Sequence, residues 1–160
     1  MREVVLSCFL DAPVDRVWEE LHRPGLLLFV ARPILGFRPV RPDRFPETWA
    51  VGEYVVALRW RGLVPLGRQT ISISHPEAPE GCRALRDNGH SGMIRRWDHL
   101  ITLEPEGAGT RYTDRVSIEA EVLTWPVAMF ARSFYAHRQR RWRALVAAGF
   151  DTAKAERAGP

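Results

Sequence analysis

Residues 111–148 read RYTDRVSIEAEVLTWPVAMFARSFYAHRQRRWRALVAA, and within them the apolar period changes from that of a strand to that of a helix. Over residues 111–121, Tyr112, Asp114, Val116, Ile118 and Ala120 share one side of an extended chain. Arg111, Thr113, Arg115, Ser117 and Glu119 take the other, the alternation of a half-buried strand. From residue 124 to about 148 there is no proline after Pro126, and Val127, Ala131, Phe134, Arg138, Trp142 and Leu145 recur at three- and four-residue steps. That spacing predicts one long helix, with Gly149 as its stop.

Working outward, Glu106-Gly107-Ala108-Gly109 is a turn, and residues 93–103 before it alternate again. Met93, Arg95, Trp97, His99, Ile101 and Leu103 form the more aromatic face of that strand. Further strands are expected over 54–60, 68–74 and 83–87, with turns at Arg61-Gly62-Leu63 and Asp87-Asn88-Gly89. Pro39, Pro42 and Pro46 mark a long irregular connection. Residues 4–10 are β-branched and apolar, a first strand. Asp11 then serves as a natural N-cap and Pro13 suits the first turn of a short amphipathic helix over 13–22. Arg23-Pro24-Gly25 breaks that helix, and 26–30 extends it as a second.

The order is therefore strand, two short helices, about six strands and one long helix. Short connections between successive strands imply an antiparallel meander. We expect an α+β fold, a curved antiparallel sheet of six to seven strands wrapped around the C-terminal helix. One helix cannot fill the concavity of such a sheet, so a cavity between them is expected. Residues 1–150 form the domain and 151–160 a flexible tail.

Composition agrees with a globular chain: 46% of the 160 residues are hydrophobic and 26% charged. The apolar runs are too short to span a membrane, and no leader-like core opens the chain, so a cytoplasmic location is the default. The net charge of +4 is almost wholly arginine, Lys154 being the only lysine. Those arginines are scattered among acids and read as solvated faces, so nucleic acid is not an expected partner. Cys8 and Cys82 lack paired spacing and read as buried free thiols. His22, His75, His90, His99 and His137 show no metal-ligand spacing, His75 and His90 sit beside turns as exposed residues, and neither a metal nor a cofactor is expected. There is no phosphate-binding glycine loop and no serine-hydrolase elbow.

Several local patterns resemble the START-like (SRPBCC) superfamily of polyketide cyclases, lipid-transfer domains and allergen-type carriers, and more closely an uncharacterised bacterial cyclase-like branch. Leu10-Asp11-Ala12-Pro13-Val14-Asp15-Arg16-Val17-Trp18 is similar to its strand-to-helix junction. Pro46-Glu47-Thr48-Trp49 and Gly62-Leu63-Val64-Pro65-Leu66-Gly67-Arg68 resemble its proline-rich connection and hairpin. Arg95-Arg96-Trp97-Asp98-His99 and Arg111-Tyr112-Thr113-Asp114-Arg115 resemble its paired late strands. The likeness covers nearly the whole chain apart from the tail. Ile101 stands where the branch often has a second histidine, and Tyr135-Ala136-His137-Arg138-Gln139 departs from its helix pattern. The resemblance implies a helix-grip fold and a pocket. The superfamily holds carriers, cyclases and chaperone-binding modules, so it implies no single activity.

His99 and Asp114 are the candidate catalytic pair. With the two late strands joined at residues 105–109, His99 falls opposite Asp114 in one register and opposite Val116 in another, and the sequence leaves both open. If they meet, Asp114 fixes the imidazole tautomer and raises the His99 pKa. Arg95 would then bind an anionic or enolate oxygen, with Arg138 reaching the same place. The candidate ligand-binding set is Arg95, Trp97, Ile101, Tyr112, Val116, Phe134, Arg138 and Trp142. The blander reading, which the sequence favours, makes His99, Asp114 and Arg138 a structural polar network. The function expected first is that of a carrier or sensor for a small hydrophobic molecule, of lipid, polyketide or aromatic type. A cyclase-type enzyme and a protein-interaction module are the alternatives, and membrane insertion is not expected.

Overall fold

Val4, Leu6, Cys8 and Leu10 point one way along β1 (Arg2–Leu10) and are buried or half-buried, while Val5 and Phe9 face solvent. The computed structural model describes residues 1–92 and 94–158. After β1 the chain enters α1 (Val14–Leu21), whose Val14, Val17 and Leu21 form the buried stripe. Asp11 does not cap this helix. Pro13 is still extended (φ −61°, ψ 150°) and occupies the N-cap itself, so helical geometry begins one residue later and Asp11 is out of reach. Pro24 opens α2 (Pro24–Ala31) from its first turn, where a missing N–H costs nothing. This helix is apolar on most of its circumference because it is covered on several sides.

Strands β2 (Leu35–Arg41), β3 (Gly52–Trp60), β4 (Val64–Ser74), β5 (Arg83–Ser91), β6 (Arg96–Glu106) and β7 (Gly109–Glu119) follow as an antiparallel meander. The seven-stranded sheet has the order β1-β7-β6-β5-β4-β3-β2, so β1 and β2 are its edges and α1 and α2 carry the chain between them. Part of the expected proline-rich connection is a strand. β2 tolerates Pro39 because it lies at an edge and shifts register between Pro39 and Arg41.

A second correction matters more. Asp87-Asn88-Gly89 is not a turn: Asp87 pairs with His99, Asn88 with Asp98 and Gly89 with Trp97 inside β5. The glycine answers to a neighbour, since a Cβ there would lie 2.5 Å from the Thr70 carbonyl oxygen. Met93, expected at the start of β6, lies outside the described residues.

A short 3-10 turn (Glu121–Leu123) leads into α3 (Thr124–Ala147), which packs on β1, β7 and α2. Gly149 (φ 68°) ends it: its N–H bonds the Val146 carbonyl and that of Phe150 bonds the Leu145 carbonyl, the paired closure of a Schellman motif. The expected flexible tail instead carries α4 (Thr152–Ala158), started by a 2.9 Å bond from the Lys154 N–H to Asp151 Oδ1 and anchored by buried Ala155. Gly159 and Pro160, the rest of that tail, lie outside the described residues. Both cysteines are free and half-buried, and burial with the nearby Asp114 charge pushes the Cys8 thiol up to about 12.

The α+β helix-grip architecture is thus the observed one. Two apolar clusters pack under α3. One gathers Tyr112, Trp142 and Leu145 with α1, the other Val116, Ile118, Ala131 and Phe134. Along α3, Arg138 and Gln139 fall between them.

Candidate functional site

The inner face of β6 is the one expected: Trp97 is half-buried, and His99, Ile101 and Leu103 are buried. With Leu85 and Asp87 of β5, Ile71 of β4 and Phe134 and Arg138 of α3, these strands border a cavity of about 300 Å³ between sheet and helix. His99, Trp97, Ile101, Phe134 and Arg138 all line it.

The register of β6 and β7 places His99 opposite Val116 and Asp114 opposite Ile101. His99 and Asp114 nevertheless meet on the diagonal, Nε2 to Oδ1 at 2.7 Å. Both are enclosed, at 4% and 1% exposure. The same Oδ1 accepts from Tyr112 OH at 2.9 Å, and Oδ2 accepts from Gln139 Nε2 at 2.8 Å. Burial by itself would raise the Asp114 carboxyl, but the His99 and Gln139 bonds and the Arg138 charge outweigh it and hold it below its ordinary value. An ionised carboxylate can only accept, so His99 carries its proton on Nε2. Burial pulls the imidazole below its usual value despite Asp114, contrary to the expected rise, because desolvation of the cation exceeds the attraction. His99 is therefore neutral at pH 7, and its Nδ1 has no protein partner among the described residues.

Arg138 is buried, at 7% exposure, and stays charged: burial opposes the charge, but Tyr135, Tyr112, Asp114 and Asp87 favour it. Its guanidinium carbon stands 4.9 Å from the Tyr135 ring centre and 5.8 Å from that of Phe134. Its Nε is enclosed without a hydrogen-bond partner among the described residues.

Asp87 was not foreseen. Its Oδ1 accepts the Ser72 N–H at 2.8 Å, and the half-buried residue borders the cavity. Burial pushes it up to about 7, against the pull of the Ser72 bond and the Arg138 charge. The Asp-Asn-Gly turn signal concealed it. The alternation Arg83, Leu85, Asp87, continued through Gly89, was the available clue. Gln139 was also missed as a partner of Asp114; it additionally bonds the Leu6 carbonyl at 3.0 Å and so ties α3 to β1.

Four expected ligand contacts fall elsewhere. Arg95 precedes β6 in a bend, its side chain 69% exposed and 3.9 Å from Glu121, because strand alternation does not extend back to it. Tyr112, Val116 and Trp142 are fully buried but border the cavity nowhere. Tyr112 stands behind His99 on Asp114, Val116 packs in the patch beneath the upper part of α3, and Trp142 lies one helical turn beyond Arg138 against Tyr112 and Phe150. His75 is exposed as expected yet paired, its Nε2 3.0 Å from that of His22. Among the described residues no three His, Cys, Asp or Glu side chains converge as metal ligands, and no helix is long and apolar enough to cross a membrane.

Known structures share this fold. A protein from Chromobacterium violaceum superposes with a TM-score of 0.65 at 16% identity, over 90% of this chain and 96% of that one. The AHSA1 protein of Silicibacter pomeroyi gives 0.58 at 12%, over 91% and 98%, and the Aha1 dimer of Colwellia psychrerythraea gives 0.61 at 11%, over 91% and 96%. These are likenesses of fold alone. No curated protein sequence matches the chain. Residues 9–146 match the family described as Domain of unknown function (DUF8410), and the chain belongs to that family.

Proposed function

We propose that this protein is a cytoplasmic carrier or sensor that encloses a small hydrophobic molecule between its sheet and α3. One observation carries the reading. A cavity of about 300 Å³ remains under the long helix, walled by Ile71, Leu85, Ile101 and Phe134, with polar groups gathered at Asp87, His99 and Arg138. Ligand sites have this make-up, mostly apolar with a few convergent polar anchors. An interaction module without a ligand would have filled the space with side chains.

The test is native mass spectrometry of the purified protein beside a denaturing run of the same sample. We expect an added mass that disappears on denaturation. A bare mass that no member of a lipid and aromatic library shifts would overturn the reading in favour of the interaction module.

A second reading, a cyclase-type enzyme, is favoured by a specific feature. Asp114 holds the His99 proton on Nε2, which leaves Nδ1 as a base beside a carboxylic acid, Asp87, that titrates near neutrality. The resemblance of the sequence to the bacterial cyclase-like branch fits that reading. An enzyme loses turnover in His99→Ala while keeping ligand affinity; a carrier shows only the effect on fit.

A further inference from the structure

The cavity is bordered by a cation that has no hydrogen-bond or ion-pair partner among the described residues. Arg138 makes no hydrogen bond or ion pair among the described residues, although it is more than nine-tenths buried and borders the cavity. A buried guanidinium normally has its donors engaged, because losing water without replacement is costly. The neighbouring groups do not supply that replacement. On β7 both oxygens of Asp114 are occupied by His99, Tyr112 and Gln139. On α3 Tyr135 accepts from Trp97 Nε1, and burial keeps its hydroxyl protonated. On β6 His99 is neutral, and Asp98 is committed to Arg86 and Arg96. Asp87 on β5 borders the same space, with Oδ1 held by Ser72 of β4 and Oδ2 without a partner among the described residues. Arg68 of β4 also borders the cavity but is exposed.

We infer that the molecule bound here is apolar with a terminal carboxylate, whose oxygens sit between the Arg138 guanidinium and the Asp87 carboxyl. Arg138 supplies charge-assisted hydrogen bonds and cancels the ligand's charge, and Asp87 donates its O–H to the second oxygen. The flat aromatic faces of Phe134 and Tyr135 hold the guanidinium in place from behind. This rests on the cavity reading above and adds the chemical class of the occupant. As Asp87 ionises it becomes a like charge beside the ligand, so affinity for an acid falls as the pH rises through neutrality.

The experiment compares matched pairs, naphthoic acid with naphthylmethanol and decanoic acid with decanol, by calorimetric titration of the full chain. We expect the better-fitting acid to bind about tenfold or more tighter than its alcohol, the scale of a charged hydrogen bond in a dry site. Arg138→Gln should bring the acid and alcohol of each pair to within about twofold of one another, while Arg138→Lys retains part of the preference. Thermal melts establish that each variant is folded. Equal binding of acid and alcohol by the parent protein would overturn the carboxylate assignment and leave the cavity reading standing. A preference lost in Arg68→Gln but kept in Arg138→Gln would also overturn it. If neither member of either pair binds, the cavity reading falls and the assignment with it.

Discussion

Asp87 sits where a carboxylate is least at home, against an apolar cavity with one N–H for company, and its value near 7 records the cost of charging it there. The folded state therefore holds a proton that the unfolded chain releases near pH 4, so Asp87 lowers stability as pH rises between those values. Asp87→Asn keeps an acceptor for Ser72 and removes the titration. Urea melts at pH 4 and pH 8 should show the variant near parity at the lower pH and about 1–3 kcal/mol more stable at the higher one. Equal differences at both values would mean that the carboxyl is hydrated.

Asp114 runs the other way. It is ionised and takes three donors, so Asp114→Ala strands His99, Tyr112 and Gln139 and removes a charge that favours the Arg138 cation. A loss of about 2–4 kcal/mol is expected in the same melts. A change under about 0.5 kcal/mol would place the residue outside any buried network.

Among the elements, β5 shows how a local signal is overruled. Asp-Asn-Gly is strong turn chemistry, yet β4 and β6 flank the segment and extended pairing satisfies more backbone groups than a turn would. The glycine survives for a different reason, the close approach of the Thr70 carbonyl. Gly89→Ala should therefore cost about 2 kcal/mol in a denaturant melt, through the forced separation of β4 from β5. A neutral result would show that the two strands can part without penalty. α4 makes the same point at the other end of the chain: a short polar segment that reads as frayed becomes helical once Ala155 has a core to enter.

For the whole molecule, the property that matters is space left unfilled. A curved seven-stranded sheet presents more apolar face than one 24-residue helix covers, and the remainder is the cavity. Leu85→Trp projects extra volume into it. We expect that variant to lose any ligand mass in native spectra while melting within a few degrees of the parent, since filling an existing void need not strain the core. Retention of the ligand would place the binding site elsewhere.

Local pattern along the chain was enough for the order of β1, α1, α2, the later strands and α3, for the antiparallel meander, for most of the inner faces of β6 and β7 and for the buried stripe of α3, but not for β2 or α4. Period, turn chemistry and helix stops are properties of neighbours along the chain, so they are legible without a fold. The sequence also singled out His99, Asp114 and Arg138 as residues that could share a site. Tertiary structure alone decided that His99 and Asp114 meet diagonally, that Arg95 looks outward, that Trp142 is core and that Asp87 lines the cavity. Those outcomes depend on register between strands and on how far each side chain stands from a helix laid across them. Both are set by contacts between residues far apart in sequence, where a shift of one or two positions changes what a side chain meets.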